Sequence, residues 1–351
     1  MERHVKQLSK VLIAAMVAAA LVAVIVSGCG SSQGASSESA ASTPVSIALD
    51  WTPNTNHIGI FVADQLGYYK DNGLDVTILP YASTQPETLV AHGKADFAVG
   101  NQAGIAYARA SGEDVLQVMA NIAKTQYAIG VGAGNSAVKS PKDLDGKTYA
   151  GFGTPDEGPE LKYVIKADGG TGVFKTVTLN TTAYEAVYDG TADFTIAVTT
   201  WEGIQAKLLG KPMRFFEFTD YGFPAQYSSV IESSNKYLKA NADTAKKFLA
   251  ATQKGYQYAQ DHPVEAAKLL VKANPQTIKD AKLAEQSALM LARDGYYKGV
   301  DGKIGPVDPA IWTKYGNFLY SSKLLTGAGG KPLPSEPDWS SFYTNDYLPG
   351  G

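Results

Sequence analysis

"GKADFAVGNQAG" begins at Gly93 and "GTADFTIAVTTWEG" begins at Gly190. The same order of glycine, alanine, Asp-Phe and a short apolar run thus recurs 97 residues apart. Such an echo constrains the fold more than composition does, because each copy reads as one supersecondary unit, and the chain is expected to hold two similar lobes. Each apolar run is short enough for a buried strand. The glycine before it ends a helical segment.

The residues around the first copy alternate strand with helix. Val45, Ile47 and Leu49 alternate as a half-buried strand over 45–50. In "HIGIFVADQLGYYKDNG", Ile58, Phe61, Val62, Leu66 and Tyr69 recur at helical spacing up to Gly73. "LDVTILPY" reads as a strand, residues 84–92 as a helix closed by Gly93, "ADFAVG" as a strand, and residues 147–152 as another. Strands separated by helices of this length imply βαβ units in parallel sheets. Beyond about Tyr227 the pattern turns helical, with Asn241, Asp243 and Pro263 at helix starts, and these helices are expected to return to the first lobe. Crossings between lobes are expected near 131–134 and 225–229. Lobe 1 would then comprise 45–132 and 228–351, and lobe 2 would comprise 133–227.

The N-terminal segment reads as a targeting signal. Arg3, Lys6 and Lys10 precede an apolar run from Val11 to Val26, and Val26-Ser27-Gly28-Cys29 follows. That run is short for a membrane-spanning helix, which needs roughly 20 residues. It resembles a lipobox, with residues 1–28 removed, Cys29 lipidated and residues 29–44 a tether; an uncleaved anchor is the other reading. The tether "GSSQGASSESAAST" spans on the order of 20 Å as a coil. Cys29 is the single cysteine, so no intrachain disulfide is available. The whole chain carries net charge −3 without basic clusters, which argues against nucleic acid.

In open α/β sheets, ligands bind beyond the carboxyl ends of strands. That rule selects "WTPNTNH" after the first strand, Asn101-Gln102 after the first echo, and Thr199-Thr200-Trp201-Glu202 after the second. A fourth loop, "GFGTPDEGPE", has a permissive backbone whose N–H groups at Gly153 and Thr154 are free to receive an anionic or carbonyl group of a ligand. It is neither a P-loop nor GxGxxG. The four histidines have no metal-ligand spacing, and no GxSxG or SxxK occurs. No metal, no cofactor and no catalytic centre are therefore expected. Asp156-Glu157 reads as a solvated loop pair.

The remaining candidates are aromatic and amide-rich: Trp51, Tyr81, Tyr127, Trp201 and Tyr227, with Asn54, Asn101, Gln102 and Glu202. Aromatic faces stack on a flat heteroaromatic ring, and a few directional groups read its edge. Glu202 suits that reading, because a carboxylate accepts from an exocyclic amine and an adjacent protonated ring nitrogen in one plane. His57, at a helix start, reads as a ligand contact or as a cap.

"LDWTPNTNHIGIFVADQLGYYKDNGLDV", "GKADFAVG", "DLDGKTYAGFGTP" and "DFTIAVTTWEGI" together resemble the substrate-binding lipoproteins of ABC importers in the thiamine-pyrimidine group, a family that also includes the fungal pyrimidine synthase. The resemblance implies a type II periplasmic-binding-protein fold, α/β, with two Rossmann-like lobes closing on a hydroxymethyl- or formylaminomethyl-aminopyrimidine. It further implies that Trp51, Trp201, Glu202 and the loop from Gly151 to Thr154 line the pocket. A permease and its ATPase are the implied partners of a membrane-anchored, monomeric receptor. The cysteine-rich motif and the histidine of the fungal synthase are missing from the loop that here reads "GNQAG", which favours transport over synthesis. A flavin precursor, an aliphatic sulfonate or another heteroaromatic are the alternative ligands, and a secreted pyrimidine-modifying enzyme is the remote one.

Overall fold

The computed structural model describes residues 42–349, so the signal, Cys29 and most of the tether lie outside the described residues. The chain runs β1 (Thr43–Ala48), α1 (Ile58–Gln65), α2 (Tyr68–Asp71), β2 (Leu74–Leu79), α3 (Pro86–Ala91), β3 (Phe97–Gly100), α4 (Gln102–Ala110) and β4 (Leu116–Ile122). It continues with β5 (Tyr127–Gly132), β6 (Thr148–Gly151), α5 (Glu157–Ala167), β7 (Lys175–Thr178), α6 (Ala183–Tyr188), β8 (Phe194–Val198), α7 (Glu202–Leu208) and β9 (Met213–Glu217). The last part comprises β10 (Ser229–Ser233), α8 (Asn235–Ala240), α9 (Ala242–Asp261), α10 (Pro263–Ala273), α11 (Ala281–Arg293) and α12 (Pro309–Ser321).

Two five-stranded sheets result, ordered β2-β1-β3-β10-β4 and β7-β6-β8-β5-β9. Their topologies are equivalent: in each, one antiparallel strand arrives from the other half of the chain, β10 in the first and β5 in the second. This is the type II periplasmic-binding-protein arrangement. The echo occupies the same place in both sheets, as β3 and β8. Its aspartate has a shared task. Asp96 Oδ2 accepts from the Ser46 backbone N–H at 2.8 Å, and Asp193 Oδ2 accepts from the Thr148 backbone N–H at 2.8 Å. Each carboxylate thereby satisfies a donor on the neighbouring parallel strand where the third strand has not yet begun. Gly93 and Gly190, at φ 64° and 74°, make the left-handed turns that end the preceding helices.

Because β5 pairs in the second sheet, the first crossing spans 123–126 rather than 131–134; the second joins β9 to β10. The lobe boundary expected at 132 therefore moves back to before Tyr127, since its backbone pairs with Val198. The two crossings are stitched side by side. Thr125 Oγ1 donates to the Gln226 carbonyl at 3.0 Å and accepts its N–H at 2.9 Å. Helix 58–73 is also interrupted, at Gly67 with φ 77°.

The C-terminal helices return to the first sheet. Phe248 on α9 stacks on Phe97 at 4.2 Å and on Tyr69 at 5.3 Å, inside a core that includes Ile47, Ile60 and Val62. α9 also crosses α1 with almost no intervening side chain. A Cβ on Gly255 would overlap the Gly59 carbonyl oxygen, and one on Gly59 would overlap the Tyr256 ring. Gly255→Ala is expected to destabilise the fold by about 1–3 kcal/mol through overpacking, read as a lower denaturation midpoint at unchanged m-value.

Two carboxyls are buried in lobe 1 away from any cation: Glu232 on β10, fully buried, with neither oxygen partnered among the described residues, and Glu87 on α3. Burial, then their mutual repulsion, pushes Glu232 well above the usual carboxylate range, and burial pushes Glu87 up to about 7. An acid raised on folding keeps its proton in the native state at pH values where the unfolded chain has lost it. Its stabilising contribution is therefore present below the unfolded value of 4.5 and lost as pH rises through about 7. The melting temperature is expected to fall between about pH 5 and pH 8, and Glu232→Gln is expected to flatten that slope.

Candidate functional site

The loop after β1 is held as a short 3₁₀ turn over Thr55–His57, capped by Asn54, whose Oδ1 accepts the Asn56 N–H at 2.8 Å. The Asn54 N–H donates to His57 Nδ1 at 3.2 Å, which leaves the His57 hydrogen on Nε2, directed at Asp50 Oδ1 at 2.8 Å. His57 is buried, so its ring is a strut between the loop backbone and Asp50. The Asn56 carbonyl receives Tyr256 Oη at 2.6 Å and Asn121 Nδ2 at 3.1 Å, which ties the loop to α9 and β4. What the loop leaves outward is Trp51. Its ring tilts against Tyr81 at 5.4 Å, and Tyr81 itself is exposed beyond β2, the neighbouring strand. The two form an apolar wall at adjacent strand ends.

Beyond the second echo, β8 leads into the start of α7. Glu202 is buried, its Oε2 has no hydrogen-bond partner among the described residues, and burial raises its carboxyl to about 7. Its charge acts on Tyr127, Tyr184 and Tyr188. Tyr127, at the start of β5, sits among four carboxylates. Burial and then Asp156, Asp50, Glu160 and Glu202 all push its hydroxyl upward. Asp50 follows a strand of the first sheet, and the other three lie beyond strands of the second.

The loop after β6 differs from the expectation of free N–H groups. Glu157 folds back and fills it: the N–H of Phe152 donates to both carboxylate oxygens at 3.1 Å, Gly153 N–H at 3.3 Å and Thr154 N–H at 3.1 Å. Thr154 Oγ1 and Tyr149 Oη add bonds at 3.1 and 3.0 Å. Gly153 and Thr154 are exposed, but their backbone donors are taken up within the chain. The Asp156-Glu157 pair is likewise not a solvated one. Glu157 is buried, and Asp156 Oδ1 is buried without a partner. Burial raises the Asp156 carboxyl, and burial plus the Asp156 charge raises Glu160, which accepts from Tyr315 Oη at 2.8 Å and Gln226 Nε2 at 3.1 Å.

Several sequence candidates make hydrogen bonds within the chain. Gln102 is fully buried: its Oε1 accepts the Tyr227 N–H at 3.1 Å and its Nε2 faces the Ile311 carbonyl at 3.4 Å. Tyr227 is buried too, with its hydroxyl accepting the Asp308 N–H at 2.7 Å. Asn101 caps α4 through the Gly104 N–H at 2.9 Å, and Asn54 spends its amide on Thr52 and its oxygen on Asn56. Gln102 and Asn54 use both ends of their amides within the chain, whereas Asn101 commits only its oxygen and Tyr227 only the acceptor side of its hydroxyl, because strand-end loops use side-chain acceptors first to satisfy their own backbone. Trp201 is half-buried and packs against the first lobe's core. Beside it the lobes are joined: Ser287 Oγ on α11 donates to the Thr200 carbonyl at 2.5 Å, and Gln126 Nε2 reaches both Asn56 Oδ1 at 2.9 Å and Thr200 Oγ1 at 2.5 Å.

Residues that sequence reasoning passed over are Asp50, Glu160, Tyr184 and Tyr188. The signal for Asp50 was present, since it follows β1 by two residues. Two surface hollows, about 610 Å³ beside α9 and about 900 Å³ between α5 and α12, are not lined by Trp51, Tyr127 or Glu202.

Comparison with known proteins gives this geometry a family. The model described as NMT1/THI5 like matches residues 54–266. A formylaminopyrimidine-binding protein of Halalkalibacterium halodurans is 30% identical over 229 residues, 64% of this chain and 68% of that protein. A 4-amino-5-hydroxymethyl-2-methylpyrimidine phosphate synthase of Saccharomyces cerevisiae is 25% identical over 319 residues, 87% of each chain. That relative corrects the expectation that no enzyme is to be found here: proteins named as catalysts align with this chain nearly end to end. Among solved structures, the alkanesulfonate-binding protein SsuA of Xanthomonas axonopodis pv. citri bound to MOPS matches at TM-score 0.63 and 15% identity, over 86% of this chain and 98% of the other. The zinc-bound ligand-binding component of an ABC-type import system from Staphylococcus aureus matches at TM-score 0.67 and 12% identity, over 87% and 97%. These two share the fold. With its residues 54–266 matched by the family model, the chain belongs to the NMT1/THI5-like family.

Proposed function

We propose that the chain is an extracytoplasmic receptor that takes an aminopyrimidine, a hydroxymethyl- or formylaminomethyl-aminopyrimidine, between its lobes and hands it to an ABC permease powered by a cytoplasmic ATPase. The observation that carries this reading is the Glu202 carboxylate, buried with an unpartnered oxygen beside three tyrosines. A buried acceptor without a donor is costly, and the amine and ring N–H of an aminopyrimidine would supply the missing hydrogens in one plane. Trp51 and Tyr81 would cover one ring face, and Tyr127 would border the other side of the cleft. The name of the Halalkalibacterium relative points to the same ligand class.

Lobe 1 in this reading comprises residues 43–122 and 229–349, and lobe 2 residues 127–217, hinged at the stitched crossings. Closure would be a hinge motion that presents the bound form to the permease. Lipidation of Cys29 would hold the receptor at the membrane as a monomer on a flexible tether.

Titration calorimetry of the full chain with a panel of aminopyrimidines, thiamine, riboflavin and an aliphatic sulfonate tests the ligand class. Binding by a hydroxymethyl- or formylaminomethyl-aminopyrimidine is expected; heat from none of the nitrogen heterocycles would sink the reading. Mass spectrometry of the mixture after prolonged incubation separates binding from turnover. Glu202→Gln is expected to weaken binding by about 1–3 kcal/mol. Since the ionised carboxylate is the better acceptor, affinity for a neutral ligand is expected to decline as pH falls through about 7 in the wild type and to lose that dependence in Glu202→Gln.

A further inference from the structure

The loop after β6 is a concave set of donors wrapped around the chain's own carboxylate. Three consecutive backbone N–H groups, of Phe152, Gly153 and Thr154, point to Glu157 together with Thr154 Oγ1 and Tyr149 Oη. Successive N–H groups in such a turn form an anion-binding concavity. The glycines fit it closely: a Cβ on Gly151 would overlap Glu157 Oε2, and Gly153 needs φ 93°. The loop adjoins the candidate cleft through α6: Phe152 lies against Tyr184 at 5.4 Å, and Tyr188 on the same helix donates its hydroxyl to the Glu202 carbonyl at 3.4 Å. An external phosphate or sulfonate seeking those donors would have to displace a buried carboxylate. It would also approach the neighbouring Asp156, whose Oδ1 is buried without a hydrogen-bond partner among the described residues.

We propose that Glu157 is a specificity-determining residue: its carboxylate occupies the loop's anion position from within, so the cleft accepts an uncharged or cationic heterocycle and rejects the same heterocycle carrying a phosphate or sulfonate. The proposal rests on the reading of the interlobe cleft as a pyrimidine site. It adds a charge class, unphosphorylated over phosphorylated, and a residue that enforces it. A glutamate serving only as a helix-start cap would lower the melting temperature when replaced but would leave relative affinities unmoved.

The full chain, Glu157→Gln and Glu157→Ala are titrated with three probes: a hydroxymethyl-aminopyrimidine, its phosphate monoester and methyl phosphate. Glutamine keeps an acceptor for the loop and removes the charge; alanine empties the loop. The wild type is expected to prefer the unphosphorylated compound by about 100-fold or more, and that ratio is expected to shrink about tenfold or more in Glu157→Gln. Methyl phosphate is expected to bind Glu157→Ala saturably and the wild type not at all. Equal affinity of the wild type for both pyrimidines, or an unchanged ratio in Glu157→Gln, would overturn the proposal. Should the wild type bind neither pyrimidine, the pyrimidine reading fails, and methyl phosphate alone decides: binding confined to the variants supports Glu157 as the internal anion, and absence from all three overturns it. Should Glu157→Ala fail to melt cooperatively, the Glu157→Gln titrations carry the decision.

Discussion

Parallel strands that end at a cleft leave backbone N–H groups without ladder partners, and the candidate site is built around how this chain supplies them. Asn54 caps the loop after β1, Asn101 caps the helix after β3, and Glu157 fills the loop after β6. Each is a polar side chain that sequence pattern places at the mouth of the cleft, and each is turned inward. The loop surface is then left to Trp51 and Tyr81, large rings that need few hydrogen bonds, while Glu202 stays buried with an oxygen that lacks a donor among the described residues. Satisfying the backbone from within therefore decides which side chains remain for other work.

The same economy explains the duplicated architecture. In each sheet the aspartate of the Ala-Asp-Phe pattern bonds the first strand's backbone before the third strand begins. Two equivalent sheets with exchanged antiparallel strands make the crossings unavoidable neighbours, and Thr125 and Gln226 lock them together. Gln126, one residue on, spans Asn56 of one lobe and Thr200 of the other. The two crossings and the loops after β1 and β8 are thus one hydrogen-bonded assembly.

Much of the fold was legible because periodicity and glycine punctuation are local signals. The echo, the strand-helix alternation and the returning helices follow from them. The first crossing was misplaced because Tyr127–Gly132 is an apolar strand like any other, and only its pairing with β8 and β9 assigns it to the second lobe. The site was half legible. Position beyond a strand end selects loops, yet it does not say whether an amide there faces inward or outward: Gln102 differs from Glu202 in long-range partners, Tyr227 and Ile311, that sequence spacing does not show. His57 was read as cap or contact, and the cap holds: its Nδ1 accepts the Asn54 N–H in a capping box while its Nε2 aims at Asp50.

Burying carboxylates without cations is a standing cost to folding, and where that cost sits separates function from framework. Glu157 is offset by five donors and Asp96 by backbone and hydroxyl bonds. Glu202 and Asp156 each keep an oxygen desolvated and unpaired, at the face where Tyr127 looks across the lobes. Residues held in an unfavourable state at a cleft are strained in favour of whatever relieves them. Relief for a buried carboxylate is a hydrogen-bond donor or a positive charge. Under the proposed function, a flat ring bearing an amine would meet both demands at once, whereas a sulfonate or phosphate would deepen the deficit.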